Sequence, residues 1–337
     1  MNVGIIAAGA WGTALAICLS KRHRVILWSH DKAQVEAMLQ ERENHRYLPG
    51  YALPPMLEVS HDLAATLNMV GVDKDNALLI IATPIAGLRP CLQNISQCKC
   101  DAPLIWACKG FESENGVLPH QVAAECLKHD KYGVLSGPSF AAEVAAGKPT
   151  ALSLAMTAAS QQLAQRLSAE LHTQNLRIYP NEDMIGVEAG GALKNIMAIA
   201  TGVCDGLQLG DNARAALITR GLAEMARFGE AIGARRSTFM GLSGVGDLLL
   251  TCTGNLSRNR KVGLALAAGK TLDDTLRNLG HIAEGVSTAH EVARLATEMQ
   301  VEMPVTQAVA TLLAGEVNAT EAVERLLARH PKSSNET

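Results

Sequence analysis

Near its N-terminus the chain runs Val3-Gly4-Ile5-Ile6, a short apolar stretch, into Ala7-Ala8-Gly9-Ala10-Trp11-Gly12, a turn of small residues. Thr13-Ala14-Leu15-Ala16-Ile17 then opens a helix. A strand entering a helix through such a turn begins a βαβ unit. Its glycine spacing is that of the dinucleotide-binding pattern G-x-G-x-x-G with one departure. In that pattern the first glycine makes the tight turn, the second lets backbone approach a pyrophosphate, and the third lets helix and strand pack closely. Gly9 and Gly12 fill the second and third roles, and Ala7 stands in the first. A negative φ at residue 7 accommodates the methyl, whereas a positive φ costs about 1 kcal/mol or more. The turn is therefore expected to be altered but working, with Gly9, Ala10, Trp11 and Gly12 at the cofactor.

The same alternation continues to residue 180. His23–Ser29, Ala77–Thr83, Pro103–Cys108, Tyr132–Leu135 and Ala151–Ala155 read as strands, with a polar helix from Asp31 to about Glu41 and a loop carrying Pro49, Pro54 and Pro55. Unalternated apolar runs separated by helices predict a parallel sheet covered on both faces. After Asn181 the pattern turns helical, over 184–208, 211–233, 258–268, 286–300, 305–316 and 320–329. Asp211 and Ser257 are the expected N-caps and Gly233 a C-cap. The fold class is α/β: a Rossmann-like dinucleotide-binding domain over 1–182, then an all-helical substrate domain over 183–329 and a polar, disordered tail over 330–337.

Composition narrows the partners. A formal net charge of −3, with no long basic run, disfavours nucleic acid and anionic membrane surfaces. No run approaches the roughly 18 apolar residues of a membrane span, and the N-terminus lacks a basic signal-peptide region. The eight cysteines form no C-x-x-C pair, which fits reduced thiols in a cytoplasmic protein, and no metal set is expected.

Three clusters carry chemistry. Lys109, in Ala107-Cys108-Lys109-Gly110, lies beyond a strand's carboxyl end, where ligands of open α/β sheets bind. Lys194 lies in an apolar helix one turn after Gly190-Gly191, a glycine pair that implies close approach by another segment. A buried lysine there could titrate as a general acid. Asp247, in a glycine-rich apolar stretch, needs a partner, and Lys194 is the candidate. Ser257-Arg258-Asn259 opens a helix whose N-terminus can hold a phosphate. At the end of the second strand, Ser29 and His30 could take a 2′-phosphate, while Asp31 either bonds a ribose hydroxyl or caps the next helix, so the lean is to NADP over NAD.

The motifs GAWGTALA, ACKGFE, LSGPSFAAEV, EAGGALKN, GLSGVGDLLLTCTGNLSRNR and AEGVSTA span nearly the whole chain. Together they resemble the bacterial NAD(P)-dependent sn-glycerol-3-phosphate dehydrogenase family. The resemblance implies a Rossmann-like first domain, an active site completed by the helical domain, and a lysine, Lys194, that transfers the proton. It further implies substrate contacts at Lys109, Gly137, Ser139, Lys194, Asn195, Asp247, Thr251, Ser257, Arg258 and Asn259. Cofactor contacts are implied at Trp11, His30, Lys109, Ala141, Arg258, Ile282 and Glu284. The implied reaction interconverts dihydroxyacetone phosphate and sn-glycerol 3-phosphate for phospholipid synthesis, in a homodimer. The alternatives are a related dehydrogenase of another hydroxy acid or polyol phosphate, and a non-catalytic dinucleotide sensor.

Overall fold

The computed structural model describes residues 1–73, 76–113, 115–279 and 283–328. Ile282 and the tail over 330–337 lie outside the described residues. The chain divides into two compact units, one of Met1–Cys108 with Pro119–Met184, the other of Lys109–Leu118 with Ile185 onward.

The first unit contains β1 (Asn2–Ile6), α1 (Ala10–Leu19), β2 (Arg24–Trp28), α2 (Lys32–Glu41), β3 (Glu43–Asn44), β4 (Leu48–Ala52), β5 (Glu58–Ser60), α3 (Leu63–Gly71), β6 (Ala77–Ile81), α4 (Leu88–Gln97) and β7 (Leu104–Trp106). It continues with α5 (Pro119–Cys126), β8 (Tyr132–Ser136), α6 (Ala141–Ala145), β9 (Thr150–Met156), α7 (Gln161–Leu171) and β10 (Leu176–Asn181). Eight strands make one sheet in the order β10-β9-β8-β7-β6-β1-β2-β5. β1 pairs in parallel with β2 on one side and β6 on the other, Gly4 lying opposite Ile26 and Leu79. The strand order reverses at β1, which opens a crevice at the carboxyl ends of β1 and β6. Ile5, Leu15, Leu27, Leu78, Ile80 and Ile105 fill the core around it, all fully buried.

The sheet departs from the expected all-parallel form at β8, which pairs antiparallel with β9, while β9 and β10 are parallel to each other. The β8–β9 connection carries only the five-residue α6. Such a helix covers about 7.5 Å, too little to return the chain along a strand of about 17 Å. Apolar runs do not encode direction, because any strand covered on both faces reads alike. β10 is an edge strand with Leu176 and Ile178 buried between exposed neighbours, a one-sided pattern too short to stand out in the sequence. Part of the expected proline loop is ordered too: β3 and β4 form an antiparallel pair, with Pro49 on a strand that has only one neighbour.

Among the described residues the second unit has no strand. Its helices are α8 (Met184–Gly206), α9 (Asp211–Ala231), α10 (Asp247–Thr253), α11 (Arg258–Ala267), α12 (Leu272–Leu279), α13 (Glu284–Glu298), α14 (Pro304–Leu313) and α15 (Ala319–Leu327). α8 is buried on every side from Gly186 to Cys204 and forms the axis of the unit. Leu193, Ile196 and Ile199 share a core with Phe228, Phe239, Leu248, Val262 and Val292. Ser257 caps α11, its side chain accepting from the Arg260 N–H at 3.2 Å. Asp211 is not the N-cap of α9; Gly210 is, at φ +89°, and Asp211 sits in the first turn, paired with Arg214 at 2.6 Å. At the other end Gly233, at φ +96°, closes a Schellman motif, with the Ala234 N–H donating to the Gly229 carbonyl at 2.8 Å. α10 and α12 are short helices that the sequence pattern does not reveal.

Candidate active site

Three charged side chains meet inside the second unit. A Cβ on Gly190 would lie 2.3 Å from the Ser243 carbonyl oxygen, so α8 packs directly on the backbone that leads into α10. This is the close approach read from the glycine pair. One turn further along α8, Lys194 Nζ donates to Asp247 Oδ1 at 2.6 Å and to Thr251 Oγ1 at 2.8 Å. Lys109 Nζ donates to the other carboxylate oxygen of Asp247, also at 2.6 Å. Thr251 in turn donates to the Asp247 carbonyl at 2.6 Å, which fixes both residues on α10. Asp247 is 1% exposed and Lys194 7%.

Burial sets the electrostatics here. Loss of hydration pushes the Lys194 ammonium down from 10.5 to about 8; Asp247 opposes the fall and the neighbouring Lys109 charge adds to it. For Asp247, burial raises the carboxyl, but the ammoniums of Lys109 and Lys194 together outweigh it and hold the group below the usual carboxylate range. The result is an ionised carboxylate between two cations, with one lysine able to titrate near neutral pH.

The remaining candidates of this unit lie around the same helices. Asn259 Nδ2 donates to Asn195 Oδ1 at 2.9 Å, and the Gly285 N–H donates to Asn259 Oδ1 at 3.1 Å. This buried relay joins α8, α11 and α13 through the residues next to Lys194, Arg258 and Glu284. Arg258 is the exposed first residue of α11, and Glu284 opens α13.

In the first unit, Ala7 has φ +87°, so the methyl sits in the costly region. A Cβ on Gly12 would stand 2.1 Å from the Ala7 carbonyl oxygen, the close helix–strand contact expected of the third glycine. Gly9 is the N-cap of α1 and has no side-chain cap; a Cβ there would meet nothing within 4 Å. That open space over a helix N-terminus, flanked by Ala10 and Trp11, fits a dinucleotide pyrophosphate. Gly137, at φ +147°, follows β8, its carbonyl accepts from Ser139 Oγ at 3.0 Å, and Ala141 opens α6. At the end of β2, Asp31 caps α2, accepting from the Gln34 N–H at 3.1 Å, and its other oxygen meets Arg46 Nη1 at 3.1 Å. Ser29 Oγ donates to Gln34 Oε1 at 2.7 Å, and His30 is exposed with its ring centroid 6.4 Å from that of Trp28.

Family models for the N-terminal and C-terminal parts of NAD-dependent glycerol-3-phosphate dehydrogenase match residues 2–162 and 183–324. This chain belongs to the glycerol-3-phosphate dehydrogenase family. Among the family's members, glycerol-3-phosphate dehydrogenase [NAD(P)+] of Dechloromonas aromatica is 56% identical over 333 residues, covering 98% of this chain and 99% of its own. The corresponding protein of Herminiimonas arsenicoxydans is 52% identical, covering 99% of each. The crystal structure of glycerol-3-phosphate dehydrogenase from Coxiella burnetii superposes with a TM-score of 0.90 at 41% identity, over 97% of this chain and 99% of that one. Two sets of contacts escape sequence reading: Lys109 shares the carboxylate of Asp247, and Gln34 and Asn44 bond the Ala8 carbonyl in the turn before α1.

Proposed function

We propose that this chain is an NAD(P)-dependent dehydrogenase that interconverts dihydroxyacetone phosphate and sn-glycerol 3-phosphate, supplying the latter for phospholipid synthesis. The observation that carries this reading is the Lys109–Asp247–Lys194 cluster, a buried, titratable lysine held beside a fixed, buried carboxylate. When bound, the nicotinamide supplies hydride to C2 of the ketone or accepts it in reverse. In reduction, the Lys194 ammonium neutralises the charge that grows on the carbonyl oxygen and passes its proton to that atom. In oxidation the neutral amine takes the hydroxyl proton. Asp247 orients Lys194, and Lys109 adds positive charge that draws a phosphorylated substrate. Arg258 and the capped N-terminus of α11 hold the phosphate, and Asn195 and Asn259 keep that helix in register with Lys194. Thr251 fixes the Lys194 amine, and Gly137 and Ser139 complete the substrate contacts. The cofactor rests on Gly9 to Gly12, with His30, Ala141 and Glu284 as further contacts.

NADPH is the favoured cofactor, because Asp31 is engaged by the helix amide and by Arg46, which makes it a poor partner for a ribose hydroxyl. The family resemblance supports a homodimer, proposed to work in the cytoplasm; no helix among the described residues is long and apolar enough to cross a membrane. The test mixes purified protein with NADPH or NADH and dihydroxyacetone phosphate and follows nicotinamide absorbance. Oxidation with this ketone but not with other ketoses or keto acids is the expected result. Turnover only with a different substrate selects the related-dehydrogenase alternative, and binding without turnover selects the sensor. Gel filtration with light scattering tests the dimer.

A further inference from the structure

The dinucleotide turn holds a non-glycine residue at φ +87°, and such strain persists only where the surroundings over-determine the backbone. Two side chains supply that constraint. The Ala8 carbonyl, next in the turn, accepts from Asn44 Nδ2 at 2.9 Å and from Gln34 Nε2 at 2.8 Å. Asn44 Nδ2 also donates to Thr13 Oγ1 on α1 at 2.8 Å, and Gln34 Nε2 to Asn44 Oδ1 at 3.3 Å. Gln34 is itself fixed by the Ser29 hydroxyl at the end of β2. Asn44 is 1% exposed and Thr13 fully buried, so these bonds do not compete with water. From the other side, the Ala7 N–H donates to the Trp28 carbonyl at 3.0 Å.

We propose that Asn44 and Gln34 form an amide clamp that holds the strained Ala7-Ala8-Gly9 turn in its nucleotide-binding shape, so that Asn44 is a positioning residue for the cofactor. The first glycine of the pattern makes its turn without strain; here alanine makes it, and the clamp replaces what the glycine supplied. Without the clamp, residue 7 relaxes toward negative φ and carries the Gly9 amides off the pyrophosphate position. With glycine at 7 the turn keeps its shape unaided. The inference rests on the reading that this turn takes the dinucleotide.

The experiment is a double-mutant cycle on the full-length protein, titrating NADPH calorimetrically without substrate. Asn44→Asp keeps the size of the side chain but removes both N–H donors and sets a carboxylate against the Ala8 carbonyl. It is expected to weaken NADPH binding about tenfold, near what one or two net hydrogen bonds contribute, and to raise the KM for NADPH rather than lower kcat. Ala7→Gly in the Asn44→Asp background is expected to restore most of the affinity, while Ala7→Gly alone changes it little. A general structural role for Asn44 predicts no such dependence on residue 7. The clamp is overturned if Asn44→Asp binds NADPH within twofold of the parent, or if Ala7→Gly fails to rescue it. Should Asn44→Asp not fold, Gln34→Ala, at a half-buried position, carries the same prediction and the same refutation. A parent protein that binds neither NADPH nor NADH refutes the proposed function, and the clamp with it.

Discussion

Asp247→Asn keeps the shape of the site and removes one buried charge, and the structure gives the size of the effect. One carboxylate oxygen stands 2.6 Å from the Lys109 ammonium and the other 2.6 Å from that of Lys194. Two unit charges about 4 Å apart interact by about 4 kcal/mol at an effective dielectric constant of about 20. One pKa unit corresponds to about 1.4 kcal/mol, so removing Asp247 lowers the Lys194 pKa by about two to three units. The sign follows from which form the partner favours. Burial has already pushed Lys194 down to about 8 against the pull of Asp247, and loss of that pull pushes it further the same way. Reduction needs the ammonium, so kcat/KM for dihydroxyacetone phosphate falls as pH rises through this pKa, about 8 in the parent and well below that in the variant. In oxidation the rate rises as pH rises through the same value, so that limb also moves to lower pH.

The assay is initial-rate NADPH oxidation across this pH range, with thermal unfolding as a control, because a buried and a half-buried lysine without a counter-charge cost stability. A folded variant whose midpoint remains near pH 8 refutes the electrostatic role of Asp247. A loss of rate that is equal at every pH leaves Asp247 as an orienting residue only, and the tuning argument fails.

Lys194→Ala is expected to cost about 10²–10⁴-fold in turnover in a folded protein, measured with saturating NADPH; near-normal turnover refutes its role as proton donor. Gly190→Ala puts a methyl 2.3 Å from a backbone oxygen and is expected to cost about 1–3 kcal/mol, read as a lower Tm, and to lower activity by displacing α8 from Asp247. An unchanged Tm contradicts the close approach. Glu224 is buried, its carboxylate accepts from the Val305 and Thr306 N–H groups at 2.6 and 3.2 Å, and burial raises its pKa from 4.5 to about 7. The folded protein thus binds this proton more tightly than the unfolded chain, a stabilisation complete below about pH 4.5 and lost as pH rises through about 7. Urea midpoints between pH 5 and 8 are expected to fall with pH in the parent and to vary less in Glu224→Gln.

Much of the fold is legible because burial imposes residue types locally. β6 is fully buried and announces itself as an unbroken apolar stretch, β1 does so from Val3 onward, and α8 is apolar around a few buried polar residues such as Lys194 and Asn195. What the sequence hides is pairing. The antiparallel turn at β8–β9 depends on the length of the connection, and β10 buries only Leu176 and Ile178 on one face. The strain at Ala7 is likewise invisible locally. Alanine at a glycine position leaves φ open, and the residues that fix it, Gln34 and Asn44, lie in α2 and β3.

The site shows the same limit from the other direction. A buried aspartate requires a partner, and the glycine pair beside Lys194 announces close packing, so the Asp247–Lys194 pair follows from the sequence alone. Lys109 does not, because strand-end logic assigns it to the crevice of the sheet. Its own neighbours show what it packs beside. Phe111 and Leu118 are buried in the helical core, with Phe111 edge-on to Phe228 at 6.0 Å between ring centroids. These apolar anchors bind the segment Lys109–Leu118 to the second unit and bring the Lys109 ammonium to Asp247. One cation of the cluster is thus positioned by hydrophobic burial a few residues along the chain. Weakening that anchor should loosen Lys109 from Asp247 without touching a charged group.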